Sequence, residues 1–231
     1  KKLDIVFCPT ETTKIYLDNT FPNCKDKFKV LRDPIINIKN IQKYKNEETE
    51  KIDKEYFVSI GRFTKQKNYI FLLKFLKHYY KDKKLKFFFY IVGEGEKEYE
   101  LTEYIKKNNL EDFVKILGYK KNIFPLLKNA KGLISTALWE DPGFTLVESG
   151  YLNTSVISSD CPNGPKEILD NGNNGYIFKT NSLASFNVIF EKFLNEDTLE
   201  QNKKKIRLKK ITKKFTIFSH FKILQKSLNE N

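Results

Sequence analysis

The sequence predicts an α/β protein: a doubly wound parallel sheet with helices added at the C-terminus. Three observations predict it. From residue 56 to residue 178 short apolar runs alternate with amphipathic stretches, the pattern of successive strand and helix units. One run, Phe87-Phe88-Phe89-Tyr90-Ile91-Val92, is unbroken by any charged residue, as a strand covered on both faces requires. With 231 residues, 40% apolar and 14% aromatic, the chain can bury a sizeable core and is not a disordered composition.

Taken in order, residues 4–8 and 29–31 are strand-like and flank a plausible helix, and residues 37–54 are polar and charged. Residues 1–54 are therefore expected to be the tail of a preceding domain followed by a linker. Tyr56-Phe57-Val58-Ser59-Ile60 opens the sheet, and residues 69–80 carry apolar side chains at helical spacing. A strand over 85–92, a helix over 99–107, a strand over 114–117, a short helix over 123–128 and a buried strand over 132–137 follow. A helix from about 145 to 152, a strand over 155–158, a helical turn over 164–169 and a strand over 175–178 complete the unit, which is expected to span residues 55–195. Residues 196–231 add helices without another strand, and no internal repeat is visible.

The formal net charge of +13 points to anionic partners: phosphates, nucleic acid or an acidic membrane face. Much of the excess lies in residues 203–214, where Ile206 or Leu208 recurs with Ile211 and Phe215 at helical spacing. This reads as a basic amphipathic helix, either a solvated face or a membrane-surface contact. No apolar run is long enough to cross a membrane and the Lys-rich start lacks the core of a signal peptide, so a soluble, cytosolic protein is expected. Cys8, Cys24 and Cys161 are odd in number and lack metal-type spacing, which fits reduced structural thiols; no metal site is expected. Methionine is absent, an initiator included, as in a piece of a longer chain or one from which methionine positions have been dropped.

The most informative stretch runs from Trp139 to Glu148. Glu140 and Glu148 bracket Asp141-Pro142-Gly143-Phe144-Thr145 between a buried strand and a helix start. Backbone N–H groups and the positive end of a helix dipole at the C-terminal edge of a sheet hold anions, and a diphosphate suits the place. Carboxylates repel phosphate, so the natural partners of Glu140 and Glu148 are hydroxyls; polyols flanking a diphosphate describe a nucleotide sugar. At a second edge, Gly61-Arg62-Phe63-Thr64-Lys65-Gln66-Lys67-Asn68 offers Arg62 as a fork onto phosphate and Lys67 as a point charge. Alone the loop reads as a solvated basic turn, and the glutamates alone as helix N-terminal acids; together, with Gly143 permitting close backbone approach, they read as a site. Gly93-Glu94-Gly95 lacks the third glycine of the dinucleotide fingerprint, Glu98 standing there, and reads as a tight turn with acidic helix capping. His78 and His220 have no partner that would make them bases or ligands, and neither a P-loop nor an Asp-x-Asp pair occurs.

These residues resemble glycosyltransferase family 4, the retaining transferases of GT-B, Rossmann-like fold. Glu140 and Glu148 match its Glu-x7-Glu signature. Gly61-Arg62 with Lys67-Asn68 resembles its donor loop, Ile91-Val92-Gly93-Glu94-Gly95 its V-G-x-G turn, and Leu117-Gly118-Tyr119 its base-binding loop. Pro165-Lys166-Glu167-Ile168 and Asn174-Gly175-Tyr176-Ile177 resemble its P-x-E-I and N-G-x-L segments. The resemblance covers roughly residues 56–178. It implies that Arg62 and Lys67 hold the diphosphate leaving group, Glu148 the ribose hydroxyls and Glu140 the donor sugar. Backbone N–H groups of Phe144, Thr145 and Leu146 would cradle phosphate beside Gly61 and Gly143, and Tyr119 and Lys120 would border the base. It further implies metal-independent transfer, with no cofactor and with retained configuration by front-face attack.

The acceptor half of such enzymes, with its Gly-rich loop and histidine, is absent beyond a possible remnant, so this chain alone is expected to bind donor but transfer poorly. Residues 158–168 look most like bacterial enzymes that add amino sugars such as GalNAc, or galactose-type sugars, to undecaprenyl-diphosphate-linked glycans. The expectation is a UDP-sugar transferase of O-antigen, lipopolysaccharide or capsule assembly, with a lipid-linked glycan acceptor, cytoplasmic and peripheral to the inner membrane on its anionic face, and without a nucleic-acid partner. The rival readings are a basic nucleic-acid-binding module and a sugar-nucleotide-binding protein without catalysis.

Overall fold

The structure is a computed structural model that describes residues 3–47, 54–82 and 87–229. β1 (Val6–Cys8) and β2 (Phe28–Val30) form a two-stranded parallel sheet, connected through α1 (Glu11–Thr20) and a 3₁₀ turn over Pro22–Lys27. After α2 (Ile38–Tyr44) the main unit begins: β3 (Tyr56–Ile60), α3 (Tyr69–Asp82), β4 (Phe88–Val92), α4 (Glu98–Lys107), β5 (Val114–Ile116) and α5 (Phe124–Asn129). It continues through β6 (Gly132–Ser135), α6 (Phe144–Tyr151), β7 (Val156–Ser159), α7 (Pro165–Ile168) and β8 (Tyr176–Phe178). The helices α8 (Leu183–Asn195), α9 (Thr198–Thr212) and α10 (Ile217–Asn229) close the chain.

Strands β3 to β8 pair in parallel in the order β5-β4-β3-β6-β7-β8. The order reverses between β3 and β6, so the loops leaving these two strands part to opposite sides and leave a crevice at their C-terminal ends. The sheet sits between two cores, and alternate residues supply them. Phe57, Phe89 and Ile91 join a layer with Phe75 of α3 and Phe186, Phe190 and Phe193 of α8. Tyr56, Val58, Tyr90 and Val92 face the other layer with Ile36, Ile41, Leu146, Val147 and Leu208. The first layer is strongly aromatic, with the rings of Phe57 and Phe89 stacked at 5.3 Å and those of Phe75 and Phe186 tilted to each other at 4.2 Å; such pairs add about 0.5–1.5 kcal/mol each beyond area burial.

Several elements are shorter than the apolar runs imply. The run over 85–92 forms a strand only from Phe88, its first two residues lying outside the described residues, and the run over 132–137 leaves the sheet after Ser135. The polar stretch 37–54 is not all linker. Asn37 caps α2 by accepting the Asn40 N–H at 3.1 Å, and Ile41 is 1% exposed against the sheet; residues 48–53 lie outside the described residues. With one inward apolar position, so short a helix shows no readable periodicity.

The basic helix α9 also differs from its expected form. Its inward stripe is Lys204, Leu208 and Thr212, while Ile206 is 54% exposed. The reason lies on α6, where Gly150 leaves the space that Leu208 fills: a Cβ on Gly150 would stand 2.5 Å from Leu208 Cγ and 2.8 Å from Thr212 Cγ2. Lys204 is neutralised by Glu196, 2.5 and 2.7 Å from its carboxylate oxygens, and lies over the Tyr176 ring. In denaturant unfolding, Leu208→Ala should cost about 2–5 kcal/mol, the range for emptying a buried leucine site. Ile206→Ala should change stability by less than about 0.5 kcal/mol.

Candidate functional site

At the end of β3 the chain turns through Gly61 into the loop that carries Arg62 and Lys67, and this loop crosses the turn after β4 backbone to backbone. Gly61 N–H donates to Val92 O at 3.0 Å, Phe63 N–H to Glu94 O at 2.8 Å, and Lys97 N–H to Phe63 O at 2.9 Å. A Cβ on Gly93 (φ +146°) would come within 2.0 Å of Gly61 O, and one on Gly95 (φ +153°) within 2.7 Å of Phe63 O. The two glycines thus serve the crossing of two loops. The acids Glu98 and Glu100 lie in the first turn of α4, but Lys97 at its N-cap makes no side-chain cap bond, so the capping part of the expected turn is not found.

The loop from β6 is stapled to the loop from β3. Thr136 Oγ1 donates to Lys67 O at 2.9 Å and lies 3.2 Å from Asn68 O; Leu138 N–H donates to Gln66 O at 2.8 Å, and Gln66 Nε2 to Trp139 O at 2.8 Å. The staple brings Lys67 Nζ to 2.7 and 2.9 Å from the two carboxylate oxygens of Glu140. Glu140 is 4% exposed, and its backbone N–H donates to Pro162 O at 3.1 Å. The Lys67 stem passes over Gly61, where a Cβ would meet its Cε at 2.9 Å. Tyr69 donates to Gly61 O, and burial together with the Glu140 charge raises its phenol well above the ordinary range. A lysine and a glutamate assigned separately to phosphate and hydroxyls are therefore paired with each other. Any anion approaching Lys67 would have to compete with Glu140 for it.

Beyond Glu140, a cis Asp141–Pro142 peptide and Gly143, at φ +102°, lead into α6. Gly164 crosses this turn, since a Cβ there would fall 1.8 Å from Pro142 O. Phe144 and Thr145 begin the helix with Phe144 exposed, while the Leu146 N–H, expected in the phosphate cradle, donates to Gly143 O at 3.1 Å. One turn on, Glu148 is half-buried, and its carboxylate forms no hydrogen bond or ion pair among the described residues; burial pushes that carboxyl up to about 7.

Arg62 and Glu148 line one cleft of about 460 Å³ with Gly61, Gly93, Tyr119 and Lys120, within the size range of small-ligand pockets. Arg62 and Tyr119 are exposed at its mouth. The Lys67–Glu140 pair, Gly143 and the first turn of α6 stand outside its lining. Residues not singled out in the sequence also line it, among them Lys121, Ile123 and Phe124; their only signal is position in the loop after a strand end. Gln66 and Thr136 likewise carried no signal, because they act on backbone groups across 73 and 69 residues of chain. His78 is exposed on α3, and His220 Nδ1 lies 2.8 Å from Arg32 O, so neither joins the cleft. Among the described residues no group of three or more His, Cys, Asp or Glu could hold a metal ion.

The family model described as glycosyl transferases group 1 matches residues 40–215. An uncharacterized glycosyltransferase of Methanocaldococcus jannaschii is 36% identical over 181 residues, 73% of this chain and 43% of that protein. A Campylobacter jejuni protein named N-acetylgalactosamine-N,N'-diacetylbacillosaminyl-diphospho-undecaprenol 4-alpha-N-acetylgalactosaminyltransferase is 28% identical over 181 residues, 77% of this chain and 48% of that one. The chain thus spans about half the length of the curated relatives it matches. Among solved structures, Anabaena HepE in complex with UDP-glucose superposes with a TM-score of 0.78 at 18% identity, covering 100% of this chain and 65% of that one. That likeness places the fold among the GT-B structures.

The half-buried, unpaired carboxyl of Glu148 makes stability depend on pH. A carboxyl whose folded pKa stands above its unfolded value takes up protons on folding, so stability is fully present below the unfolded value and falls as pH rises from about 4.5 to about 7. Glu148→Gln removes this dependence. It should stabilise the ligand-free chain by roughly 2–3 kcal/mol at pH 8, allowing for the solvent that reaches the group, and by almost nothing at pH 4; paired denaturant titrations at the two pH values check it.

Proposed function

Since the chain belongs to the group 1 glycosyl transferases, we propose that it is the donor-binding half of a retaining transferase that moves a sugar from UDP to a lipid-linked glycan. The observation that carries this reading is the cleft at the switch point, with the Arg62 cation at its mouth and the unpaired Glu148 carboxyl in its wall. The ribose hydroxyls donate to Glu148, replacing by hydrogen bonds the water its ionised form lacks. The base lies against Tyr119 and Lys120, and the diphosphate runs past Gly61 and Arg62 toward Gly143 and the N–H groups of Phe144 and Thr145.

Arrival of the diphosphate exchanges the partner of Lys67. The ammonium turns from Glu140 to phosphate, and the released Glu140 carboxylate takes the hydroxyls of the donor sugar. Charge developing on the leaving diphosphate then meets Arg62, Lys67 and the positive end of α6, a preorganised electrostatic stabilisation that needs neither metal nor cofactor. Attack comes from the face the diphosphate leaves, so configuration is retained.

The sugar is a hexose or an N-acetylhexosamine such as GalNAc, and the acceptor a glycan on a lipid diphosphate in bacterial surface-polysaccharide assembly, as the name of the Campylobacter relative supports. Residues 1–54 include the end of an acceptor domain whose bulk lies outside this chain, so the chain alone binds donor and turns over poorly. A lipid-linked acceptor sets the enzyme at the anionic face of the inner membrane, on its cytoplasmic side; among the described residues no helix is long and apolar enough to cross a membrane. A nucleic-acid partner is not proposed, because the aromatic residues that favour one, Phe57, Phe75, Phe89 and Phe190 among them, are core residues.

Saturating UDP, at about a hundred times its dissociation constant, should stabilise the chain by about 2.7 kcal/mol, which at this length raises the midpoint by roughly 5–10 °C. Arg62→Ala and Glu148→Ala should each remove most of that rise. Glu140→Gln should keep or increase it, since Lys67 is then free for phosphate. No rise with UDP, or a rise indifferent to Arg62 and Glu148, would contradict the assignment.

A further inference from the structure

Glu167, from the Pro165-Lys166-Glu167-Ile168 segment singled out in the sequence, does not line the donor cleft. It stands on α7 and reaches away from the cleft, to residues 135 and 156 positions earlier in the chain. Its Oε1 accepts from Arg32 Nη2 at 2.5 Å, and its Oε2 accepts the backbone N–H of Glu11 at 2.9 Å. Glu11 is the first residue of α1, so the carboxylate meets the positive end of that helix. The Glu11 carboxylate lies 3.6 Å from the same Arg32 nitrogen. With side chains 16% and 21% exposed, Arg32 and Glu167 are largely withdrawn from water, and removing one leaves the other poorly solvated.

These contacts form a joint between residues 3–31 and the rest of the chain. Among the described residues, neither of the two cores takes a side chain from residues 3–31, and β1, α1 and β2 pack chiefly on one another. A joint without a large apolar interface leaves relative motion as the default unless something fixes it. Arg32 is seated on the C-terminal helices, its guanidinium 6.0 Å from the centre of the Phe215 ring and its carbonyl oxygen 2.8 Å from His220 Nδ1. Glu167 is seated on the donor loop through the residues just before it. Pro162 O accepts the Glu140 N–H at 3.1 Å, and Gly164 packs so closely that a Cβ there would fall 1.8 Å from Pro142 O. The segment 162–167 therefore touches the donor loop at one end and α1 at the other. Asp33 comes near enough to Asp141 for its charge, after burial, to raise that carboxyl; the joint closes against this like-charge repulsion.

We propose that Glu167 is a positioning residue for the transfer, fixing the acceptor half against the donor loop by its hold on Arg32 and on the start of α1. The inference rests on the reading above, in which residues 3–31 end the acceptor half. Glu167 touches neither nucleotide nor sugar. It acts through residues 140–143 on one side and through α1 on the other, so that the acceptor hydroxyl arrives where Glu140 holds the donor sugar. Precision matters there, because a misplacement of about 1 Å costs on the order of a hundredfold in rate. A carboxylate suits the task, since it accepts from donors on two different elements and its charge draws in Arg32. Glu167→Gln keeps the shape and an acceptor for the Glu11 N–H, and loses the attraction to Arg32.

The test is the distance between spin labels on the two sides of the joint, measured by pulsed electron paramagnetic resonance. Cys24 is exposed in the turn after α1, whereas Cys8 and Cys161 are buried. One label therefore goes on Cys24 and the other on Lys106→Cys, an exposed position of α4. The pair is measured in the parent and combined with Glu167→Gln and with Arg32→Gln, which removes the same attraction from the other side should the first variant misfold. Thermal unfolding with UDP is recorded for each. A single narrow distance in the parent, broadened about twofold or more in both variants, with the UDP-induced rise in midpoint retained, is the expected result. Widths unchanged in the variants would overturn the proposal, as would a parent distribution already as broad as theirs. Loss of the UDP response in Glu167→Gln would also overturn it, placing the residue in donor binding itself. No UDP response in the parent would sink the donor reading, while the widths still sustain or overturn the hold of Glu167 on α1.

Discussion

The staple between the loops leaving β3 and β6 is the constraint on which the site depends. The two strands are neighbours because the sheet order reverses there, and a reversal by itself only opens a crevice. Thr136 and Gln66 close the two loops on each other through backbone groups, and the Lys67–Glu140 pair completes the closure with charge. Both charged side chains are largely withdrawn from water, at 18% and 5% exposure. A pair so placed gains little net stability over an apolar pair, but losing one partner strands the other. That makes the pair a poor structural brace and a good exchangeable contact: its cost is tolerable while both are present, and a ligand carrying its own negative charge and hydroxyls can take one partner each.

Glu148 obeys the opposite logic. It faces the cleft with no cation near enough to pair and is pushed toward neutrality by burial alone, so hydrogen-bond donors are what it lacks. A carboxyl of this kind recognises a diol and rejects an anion. The cleft therefore runs from a cation at Arg62 to an unpaired carboxyl at Glu148, an asymmetry suited to the nucleotide proposed above.

What could be read from residues alone divides along physical lines. The strands were legible because burial on both faces leaves continuous apolar runs, and the turn residues were legible because glycine beside charge at a strand end has few other uses. The remaining features depend on distant partners. That Lys67 reaches Glu140 is decided by Gly61 leaving room for its stem. That Leu208, not Ile206, faces inward is decided by Gly150 on another helix. That residues 38–44 form a helix is decided by Ile36 and Ile41 finding the second core. In each case the deciding atom belongs to another element, and local pattern carries no trace of it.

A crystal structure of this chain with UDP is the most direct test of the proposed exchange at Lys67. Ribose hydroxyls on the Glu148 carboxylate, the diphosphate between Arg62 and the start of α6, and Lys67 Nζ turned from Glu140 onto phosphate are the expected result. A nucleotide bound elsewhere, or one bound in the cleft with the Lys67–Glu140 pair intact and Glu148 untouched, would contradict it.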